Sequence, residues 1–454
     1  MLTMNLAFVP LARPTFDIET AKAYFSQSCE LLGKLADGCR FPQGLLMSPE
    51  EAGAFVRRTA DGTELDAIVV QATTFIDARF IIEIMEATDA PILLWGVREP
   101  RVNGTRLSLN SMTGINNLAN TLVTKGRKFS LLFGNPTEDA LARELRDQLK
   151  VASLIRELSR LKIGVIGQQP DGFFFSGADA GMLAKLGPQM IELDLQEAFH
   201  RANELSETEA QAAVEAVSGQ VRGLGLIPQE SVLKFARFQT ALQRQIQELG
   251  ISMVAVRCWP EFYTDYGAAA CSTVSSLIDQ GIMASCEADI HGALTMHIQS
   301  RLAGSAPYLG DLVHIDETKD SGVFWHCGAG AFSLARPDTG AVAGLHPNRK
   351  LGFTLEFGLK AGAVSVHRLG PDPSRPGEYR MLMMKGEALD EPQKFWGTSV
   401  EVGFRQPILP LMKQLMKQGF EPHYSIVYAD ISEEMNILCD WLDIRPIVLG
   451  EALT

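Results

Sequence analysis

The sequence predicts an α/β protein in which two doubly wound parallel-sheet domains precede a C-terminal domain of mainly antiparallel strands. Short apolar runs alternate with helical stretches over the first part of the chain, which is typical of βαβ units and a parallel sheet. From about Gly304, short β-rich runs alternate with Gly, Pro and Asp turns instead. This change of texture favours an antiparallel sheet or a small β-barrel at the C-terminal end.

The elements follow in chain order. The first predicted domain covers 1–158, with strands at 5–9, 67–71, 92–95 and 129–133 and helices at 18–36, 77–87 and 138–159. The second covers 159–280, with strands at 162–167, 190–193 and 251–256 and helices from 178, at 205–218 and at 228–249. The third covers 281–454, with strands at 312–315, 322–326, 353–357, 363–368, 379–387 and 424–429 and helices at 292–302, 407–419 and 432–442.

Composition excludes several classes of function. The chain has 454 residues, 46% of them hydrophobic and 21% charged, as in ordinary globular proteins. A net charge of −13 argues against nucleic acid as the main partner, because phosphate binding needs clustered Lys and Arg. The glycines Gly164, Gly167 and Gly172 do not form G-x-G-x-x-G, which disfavours a dinucleotide site.

The cysteines and the N-terminal segment bear on location. The seven cysteines are scattered and form no C-x-x-C pair, which favours reduced thiols over a disulfide framework or a zinc knuckle. No basic segment followed by a long apolar one is visible at the start of the sequence, so no signal peptide is expected. No run approaches the roughly 18 apolar residues of a membrane span. We therefore expect a cytoplasmic protein without a membrane partner.

The stretch 251–297 contains the strongest candidate for a reactive centre. Two strand-like runs, 253–256 and 282–284, each lead into an acidic segment, the first with Glu261 and the second with Glu287 and Asp289. The loops at the carboxyl ends of parallel strands converge on one crevice. Carboxylates there supply both cation ligands and proton transfer, so we expect a metal and acid/base centre. The alternative is structural: Asp289 as the N-cap of the helix at 292–302, and Glu287 in a surface turn.

Other polar candidates lie at the ends of predicted elements. His326 ends a strand before a glycine turn, and His423 heads a strand just after a helix, although a single histidine is more often structural. Arg13, Trp95 and Asn110 lie in or next to strand-end loops of the first domain, where ligand groups gather. Trp95 could equally be a core residue, and Arg13 a surface charge.

Taken together, the motifs resemble the L-fucose/L-arabinose isomerase superfamily, in particular its short L-fucose-isomerase-like branch. In chain order, the segments that carry the resemblance are LARPTFD, LLWGVREP, LNSMTG, CWPEF, CEADIHGALTM, SAPYLGDL, HCGAG and HYSIVYAD. They cover nearly the whole chain, and their order is more specific than any one of them.

The resemblance implies two α/β domains, a C-terminal domain with a β-barrel, and a divalent cation, usually manganese. It implies that Glu261, one acid of the Glu287/Asp289 pair and His423 bind the metal, with His326 as a fourth ligand if the arabinose-isomerase pattern holds. It further implies a homo-oligomer, a trimer or hexamer, in which Arg13 and Trp95 contact the sugar in a neighbouring subunit's site.

The activity implied is aldose–ketose isomerisation of a monosaccharide through a cis-enediol. Glu261 and Asp289 are the expected acid/base pair, with Glu287 as the next candidate. L-fucose, L-arabinose or another aldose is the expected substrate, and sulfoquinovose is the alternative, for which Arg13 or Arg257 could bind the sulfonate. The rivals from other classes are a non-catalytic sugar-binding protein of the cytoplasm and a regulatory protein that has lost the chemistry. The clustered acids argue against both.

Overall fold

The computed structural model describes residues 2–62 and 64–450. The chain folds into two compact units that divide between Glu157 and Leu158, and each unit is described by itself. In the described residues, no helix is both long enough and apolar enough to cross a membrane.

The first unit is built on a parallel sheet covered by helices. Its elements are β1 (Leu2–Leu11), α1 (Ile18–Leu35), β2 (Ala36–Arg40), α2 (Pro49–Ala60), β3 (Ala67–Ala72), α3 (Ala78–Ala87), β4 (Ile92–Gly96), α4 (Ser111–Thr124), β5 (Phe129–Phe133) and α5 (Asp139–Leu158). The strand order is β2-β1-β3-β4-β5, and the pairings are parallel. Strand β3 reads AIVVQA and is buried throughout, as expected of a central strand covered on both faces.

The second unit combines a parallel sheet with a barrel. Its strands are β6 (Lys162–Ile166), β7 (Gln189–Leu193), β8 (Val221–Arg222), β9 (Met253–Val256), β10 (Ala284–Ser285), β11 (Tyr308–Asp316), β12 (Ser321–His326), β13 (Ala341–Leu345), β14 (Gly352–Gly358), β15 (Gly362–Pro371), β16 (Tyr379–Ala388), β17 (Thr398–Gly403), β18 (His423–Val427) and β19 (Ile444–Leu449). Its helices are α6 (Ala180–Leu183), α7 (Leu195–Glu204), α8 (Glu207–Ser218), α9 (Gln229–Leu249), α10 (Cys271–Asp279), α11 (Ile290–Ala303), α12 (Ile408–Lys417) and α13 (Ser432–Leu442).

The parallel sheet of the second unit has the strand order β10-β9-β6-β7. Long helix α9 leads into β9 and ends at Gly250, whose φ of +62° is left-handed and suits a residue without a Cβ atom. Strands β9 and β10 lie side by side, so the segments that follow them emerge at the same edge of the sheet.

Six antiparallel strands close into the barrel. The order runs β16-β15-β18-β11-β12-β17, and β17 pairs back with β16. Closure leaves these six strands without an open sheet edge. Strands β14, β13 and β8 continue from β17, and β19 pairs with β16. The predicted fold class, parallel α/β sheets followed by a mainly antiparallel barrel, is confirmed.

Helix α11 connects the sheet to the barrel. It follows β10, is buried along almost its whole length, and packs against β9, β15 and β18. A helix that is buried on all sides lacks an amphipathic stripe, and α11 reads accordingly as IHGALTMHIQSRLA. The three-domain division with boundaries at 158 and 280 stays a prediction.

Candidate active site

Two neighbouring barrel strands place an acid beside a histidine. In the antiparallel pair of β11 and β18, Asp311 lies directly opposite His423. Directly opposed residues point to the same face of a sheet, with their Cβ atoms about 4.5–5.5 Å apart. The Asp311 Oδ1 atom accordingly lies 3.7 Å from the His423 Nε2 atom. Asp311 belongs to SAPYLGDL, a segment that the resemblance includes, but the sequence analysis did not select it.

The turn after β10 brings a second acid to the same nitrogen. Glu287 and Ala288 both have left-handed backbones, with φ of +58° and +51°, so the chain reverses sharply there. Glu287 Oε2 lies 3.3 Å from His423 Nε2, and Trp259 Nε1 donates a hydrogen bond of 3.2 Å to Glu287 Oε1. Glu287 and Asp311 therefore converge on the Nε2 atom of His423.

Asp289 contacts the other nitrogen of the His423 ring, Nδ1. It is fully buried and caps helix α11, where its Oδ1 accepts from the Gly292 amide at 2.9 Å. Arg368, which is also fully buried, donates to both carboxylate oxygens, at 2.5 and 3.0 Å. His423 Nδ1 lies 2.8 Å from Asp289 Oδ2. Asp289 therefore caps helix α11, as the structural alternative predicted, and it is also the carboxylate partner of His423.

The contacts of the two ring nitrogens assign the tautomer of His423. A hydrogen bond to the Asp289 carboxylate needs a proton on Nδ1, which leaves the lone pair of the neutral imidazole on Nε2. Nε2 is the atom that faces Glu287 and Asp311. Carboxylate–histidine–metal arrangements in proteins have this same order, since the outer carboxylate orients the ring and raises its basicity.

The cluster contains more acidic than basic side chains, and each changes the pKa of its neighbours. Burial raises the pKa of the Asp311 carboxyl. Burial also opposes ionisation of Glu287 and Asp289, but His423 lowers the pKa of the first, and Arg368 with His423 lowers that of the second. Although burial alone would lower the pKa of His423, hydrogen bonds to Asp289 and Glu287 raise it to about 10. A cation bound between the two carboxylates and Nε2 would replace the Nε2 proton, because an imidazole must be neutral to coordinate.

The donor set fits a divalent cation of hard or borderline character. Two carboxylate oxygens and one imidazole nitrogen suit Mn²⁺ and Mg²⁺, whereas a site for soft metals would use thiolates. The residues that would hold such a cation are Glu287, Asp311 and His423.

An aromatic wall flanks the cluster. The Phe175 ring stands edge-on to the His423 ring with 5.2 Å between centroids, and Phe173 stands edge-on to Trp259 at 5.1 Å. Both phenylalanines come from the glycine-bearing loop after β6. They shield the ring and the Trp259–Glu287 hydrogen bond from water, which strengthens the polar contacts inside.

His326 lies next to the cluster at the end of β12. Its ring centroid is 5.7 Å from that of His423, and its Nδ1 accepts from the Cys327 amide at 3.0 Å. Its place among the metal ligands stays a prediction.

Glu261, by contrast, is engaged with an arginine. Arg257 Nε and Nη2 each donate to one oxygen of Glu261, both at 2.8 Å, and Arg257 Nη1 donates to the Gln169 carbonyl at 2.8 Å. Hydrogen bonding to Arg257 lowers the pKa of the Glu261 carboxyl. The pair lines a cleft of about 660 Å³ at the carboxyl ends of β6, β7 and β9. The structure places Asp311 beside Glu287 at His423 Nε2 and pairs Glu261 with Arg257, and the role of Glu261 as a metal ligand and proton carrier stays a prediction.

The candidates of the first unit have local roles. Trp95 is fully buried, and its indole N–H donates to the Gly134 carbonyl at 2.9 Å, as expected of the core residue that the sequence left open as an alternative; its contact with sugar stays a prediction. Arg13 pairs with Asp77. Asn110 has a left-handed backbone just before α4, and its side chain accepts from the Thr113 hydroxyl at 2.7 Å.

The sequence analysis missed Asp311, Trp259 and Arg368. A signal for Arg368 was present, because a charged residue in the strand predicted at 363–368 requires a counter-charge if that strand is buried. No comparable signal marks Asp311, since its partner lies on a distant strand and depends on the register of the barrel.

Comparison with known proteins matches the chain to a family model and to relatives of similar length. Residues 7–159 match the family model described as "Fucose/sulfoquinovose isomerase, N-terminal domain". A sulfoquinovose isomerase of Alkalicoccus urumqiensis is 45% identical over 95% of this chain and 96% of its own length. One from Priestia aryabhattai is 46% identical over 96% and 97%, and one from Clostridium sp. (strain MSTE9) is 36% identical over 97% and 98%.

Identity at this level over nearly the full length of both chains extends well beyond the N-terminal match. The resemblance inferred from the motifs is confirmed, and so is the prediction of an enzyme. The chain belongs to the fucose/sulfoquinovose isomerase family, within the L-fucose/L-arabinose isomerase-like superfamily, and is a sugar isomerase.

Proposed function

We propose that this protein isomerises sulfoquinovose, an aldose with a sulfonate in place of the C6 hydroxyl, to the corresponding ketose. The relatives that cover almost the whole chain carry that name, which favours it over L-fucose and L-arabinose. The observation that carries the chemistry is the convergence of Glu287 and Asp311 on His423 Nε2, with Nδ1 bound to Asp289.

We propose Glu287, Asp311 and His423 as the ligands of a divalent cation, with Mn²⁺ as the expected ion. Such a cation would polarise neighbouring oxygens at C1 and C2 of the sugar and so make the C2 hydrogen more acidic. Asp289 and Arg368 would act through His423, since they fix the ring and its tautomer without reaching the sugar.

The same two carboxylates are the proposed acid/base pair. One accepts the proton from C2, and the pair returns a proton to C1, which completes a 1,2-shift. The hydrogen bond from Trp259 holds one oxygen of Glu287, so that the other faces His423 and the reacting carbons. The aromatic wall restricts the access of water to this space.

The decisive experiment is turnover of sulfoquinovose, L-fucose and L-arabinose by protein stripped with EDTA, with and without added Mn²⁺. We expect ketose formation from sulfoquinovose, restored by Mn²⁺, and exchange of solvent deuterium into the product at C1. Preferred turnover of L-fucose would contradict the substrate. Full activity in stripped protein that contains no metal would contradict the cation site.

A homo-oligomer and a cytoplasmic location remain proposals. The oligomer is tested by light scattering coupled to size-exclusion chromatography, where a trimer or hexamer is expected and a monomer would contradict the proposal.

A further inference from the structure

Four cysteines lie in a row directly behind the proposed active site. Cys258 accepts a hydrogen bond of 3.3 Å from the Glu287 amide and contacts Cys286, which in turn contacts Cys271. The Cys271 Sγ atom, at the start of α10, lies 3.6 Å from the Sγ atom of Cys327, which directly follows β12.

These two segments are held together without a covalent bond. One helical turn after Cys271, the Ser275 hydroxyl donates to the Gly328 carbonyl at 3.3 Å. Gly328 packs closely against β14, because a Cβ atom there would lie 2.7 Å from the Leu355 carbonyl oxygen, and its φ of +108° suits glycine. A disulfide bond requires these sulfurs to move from 3.6 Å to roughly 2.05 Å, which we expect from rotation of the two side chains.

The hydrogen bonds of His346 favour a dithiol over a metal site at Cys271 and Cys327. One nitrogen of His346 lies within 4.8 Å of both sulfurs, so the three groups could in principle hold a metal. However, His346 Nδ1 accepts backbone N–H groups of Asn348 and Arg349, at 3.3 and 3.2 Å. The ring proton of the neutral tautomer then lies on Nε2, and this leaves no lone pair for a metal.

We propose that Cys271 and Cys327 form a disulfide when the protein meets a hydroperoxide, and that this bond reversibly lowers isomerase activity. Cys327 is partly exposed and Cys271 is fully buried, so the peroxide reaches Cys327 first, although the hydrogen bond to Cys271 raises the pKa of the Cys327 thiol. Its sulfur attacks one peroxide oxygen, the O–O bond breaks, and Cys327 becomes a sulfenic acid as the alcohol leaves, or water when the oxidant is hydrogen peroxide. The Cys271 sulfur then displaces the hydroxyl, which forms the S–S bond and releases water.

The effect on activity follows from His326. The Cys327 sulfur lies 3.3 Å from His326 Nδ1, and the His326 ring contacts the His423 ring. Rotation of the Cys327 sulfur toward Cys271 removes the contact with His326 and loosens its packing against His423. His326 acts here as a positioning residue. This part rests on the proposed function, whereas the disulfide itself does not.

The test uses the full chain treated with hydrogen peroxide and then with dithiothreitol. We expect the intact mass to fall by two hydrogens, peptide mapping to find Cys271 linked to Cys327, and activity to fall about tenfold, as for loss of an outer contact of a metal ligand. Dithiothreitol should restore both mass and activity. Cys271→Ser and Cys327→Ser should not form the bond, whereas Cys439→Ser, which removes a buried thiol in α13, should oxidise like the wild type.

Each other outcome has a defined meaning. A bond between Cys258 and Cys286, a sulfinic acid at Cys327, or stoichiometric zinc that protects the thiols would overturn the proposal. A mapped Cys271–Cys327 bond with unchanged activity would overturn the link to His326 alone. If a serine variant does not fold, the mapping of the wild-type protein still decides. Protein that forms the bond but never turns over sugar would contradict the proposed function and not the dithiol.

Discussion

The acidic segments that follow β9 and β10 look alike in sequence and differ in the structure. After β9, Glu261 binds Arg257, which lies four residues earlier on the same segment. After β10, Glu287 has its partners elsewhere in the fold, at Trp259 and at His423 of the barrel. The first acid is neutralised locally. The second is joined by Asp311 at an imidazole nitrogen, and this long-range convergence makes a site.

The comparison teaches that an acid at the end of a strand is not yet a catalytic candidate. A nearby arginine of the same segment binds both oxygens of the Glu261 carboxylate and lowers its pKa, which makes Glu261 a weaker proton acceptor. A reactive carboxylate needs partners that orient it without neutralising it, as Trp259 does for Glu287.

Among variants of the two segments, we expect Glu287→Gln to show the largest loss of kcat. This change removes both a proton carrier and a proposed ligand, so kcat should fall by about 10²–10⁴-fold, the range for a lost acid/base group. Exchange of solvent deuterium into the sugar should fall in parallel. Asp311→Asn should match it, and a variant that retains wild-type exchange would remove that residue from the acid/base pair.

The buried ion pair of the second segment should matter more for stability than the pair of the first. Arg368→Met leaves the Asp289 carboxylate buried without its main counter-charge, which should cost about 3–5 kcal/mol of unfolding free energy. The matched change is Arg257→Met, at a partly exposed pair worth about 0.2–1 kcal/mol. Urea denaturation measures both variants, and equal losses would contradict the distinction.

Asp289→Asn tests whether Asp289 acts through His423. An amide can still accept from the ring but no longer holds a negative charge behind it, so metal affinity or kcat should fall by about 10–100-fold. The loss should be smaller than that of Glu287→Gln. A loss as large as that one would indicate that Asp289 itself takes part in the chemistry.

The smallest effect is expected in Glu261→Gln. Since its carboxylate is engaged with Arg257, turnover should change by less than about fivefold, in line with about 1 kcal/mol for a partly exposed pair. Metal content, measured by plasma mass spectrometry, should be that of the wild type. Loss of bound metal in this variant would indicate that Glu261 is a metal ligand.

The sequence predicted much of the fold because buried parallel strands are continuous apolar runs. It missed β2, which reads ADGCR and carries no apolar pattern. It also missed β19, where Pro446 argues against a strand; β19 pairs with β16 at the end of the strand order, a position at which proline is tolerated. These two strands are defined by their pairing with β1 and β16, and a local pattern of apolar residues does not reveal such pairing.

The site was predicted in part, for a related physical reason. His423 and Glu287 stand at element ends, where sequence position itself suggests a role, and the structure brings them together. Asp311 lies within a strand, and its role depends on the register of β11 against β18, which no local pattern reveals. The ion pair of Glu261 with Arg257 was not predicted, because the side-chain direction of Arg257 is likewise not visible in the sequence.

The pairing of Asp311 with His423 across the barrel has a consequence for protein engineering. Both residues are held by backbone hydrogen bonds of strands in a closed ring, so their separation does not depend on any loop. The loop that carries Phe173 and Phe175 can be exchanged without moving that pair. We expect a library confined to this loop to vary the aromatic wall beside the proposed active site while Asp311 and His423 keep their places, which is a starting point for isomerases of new sugars.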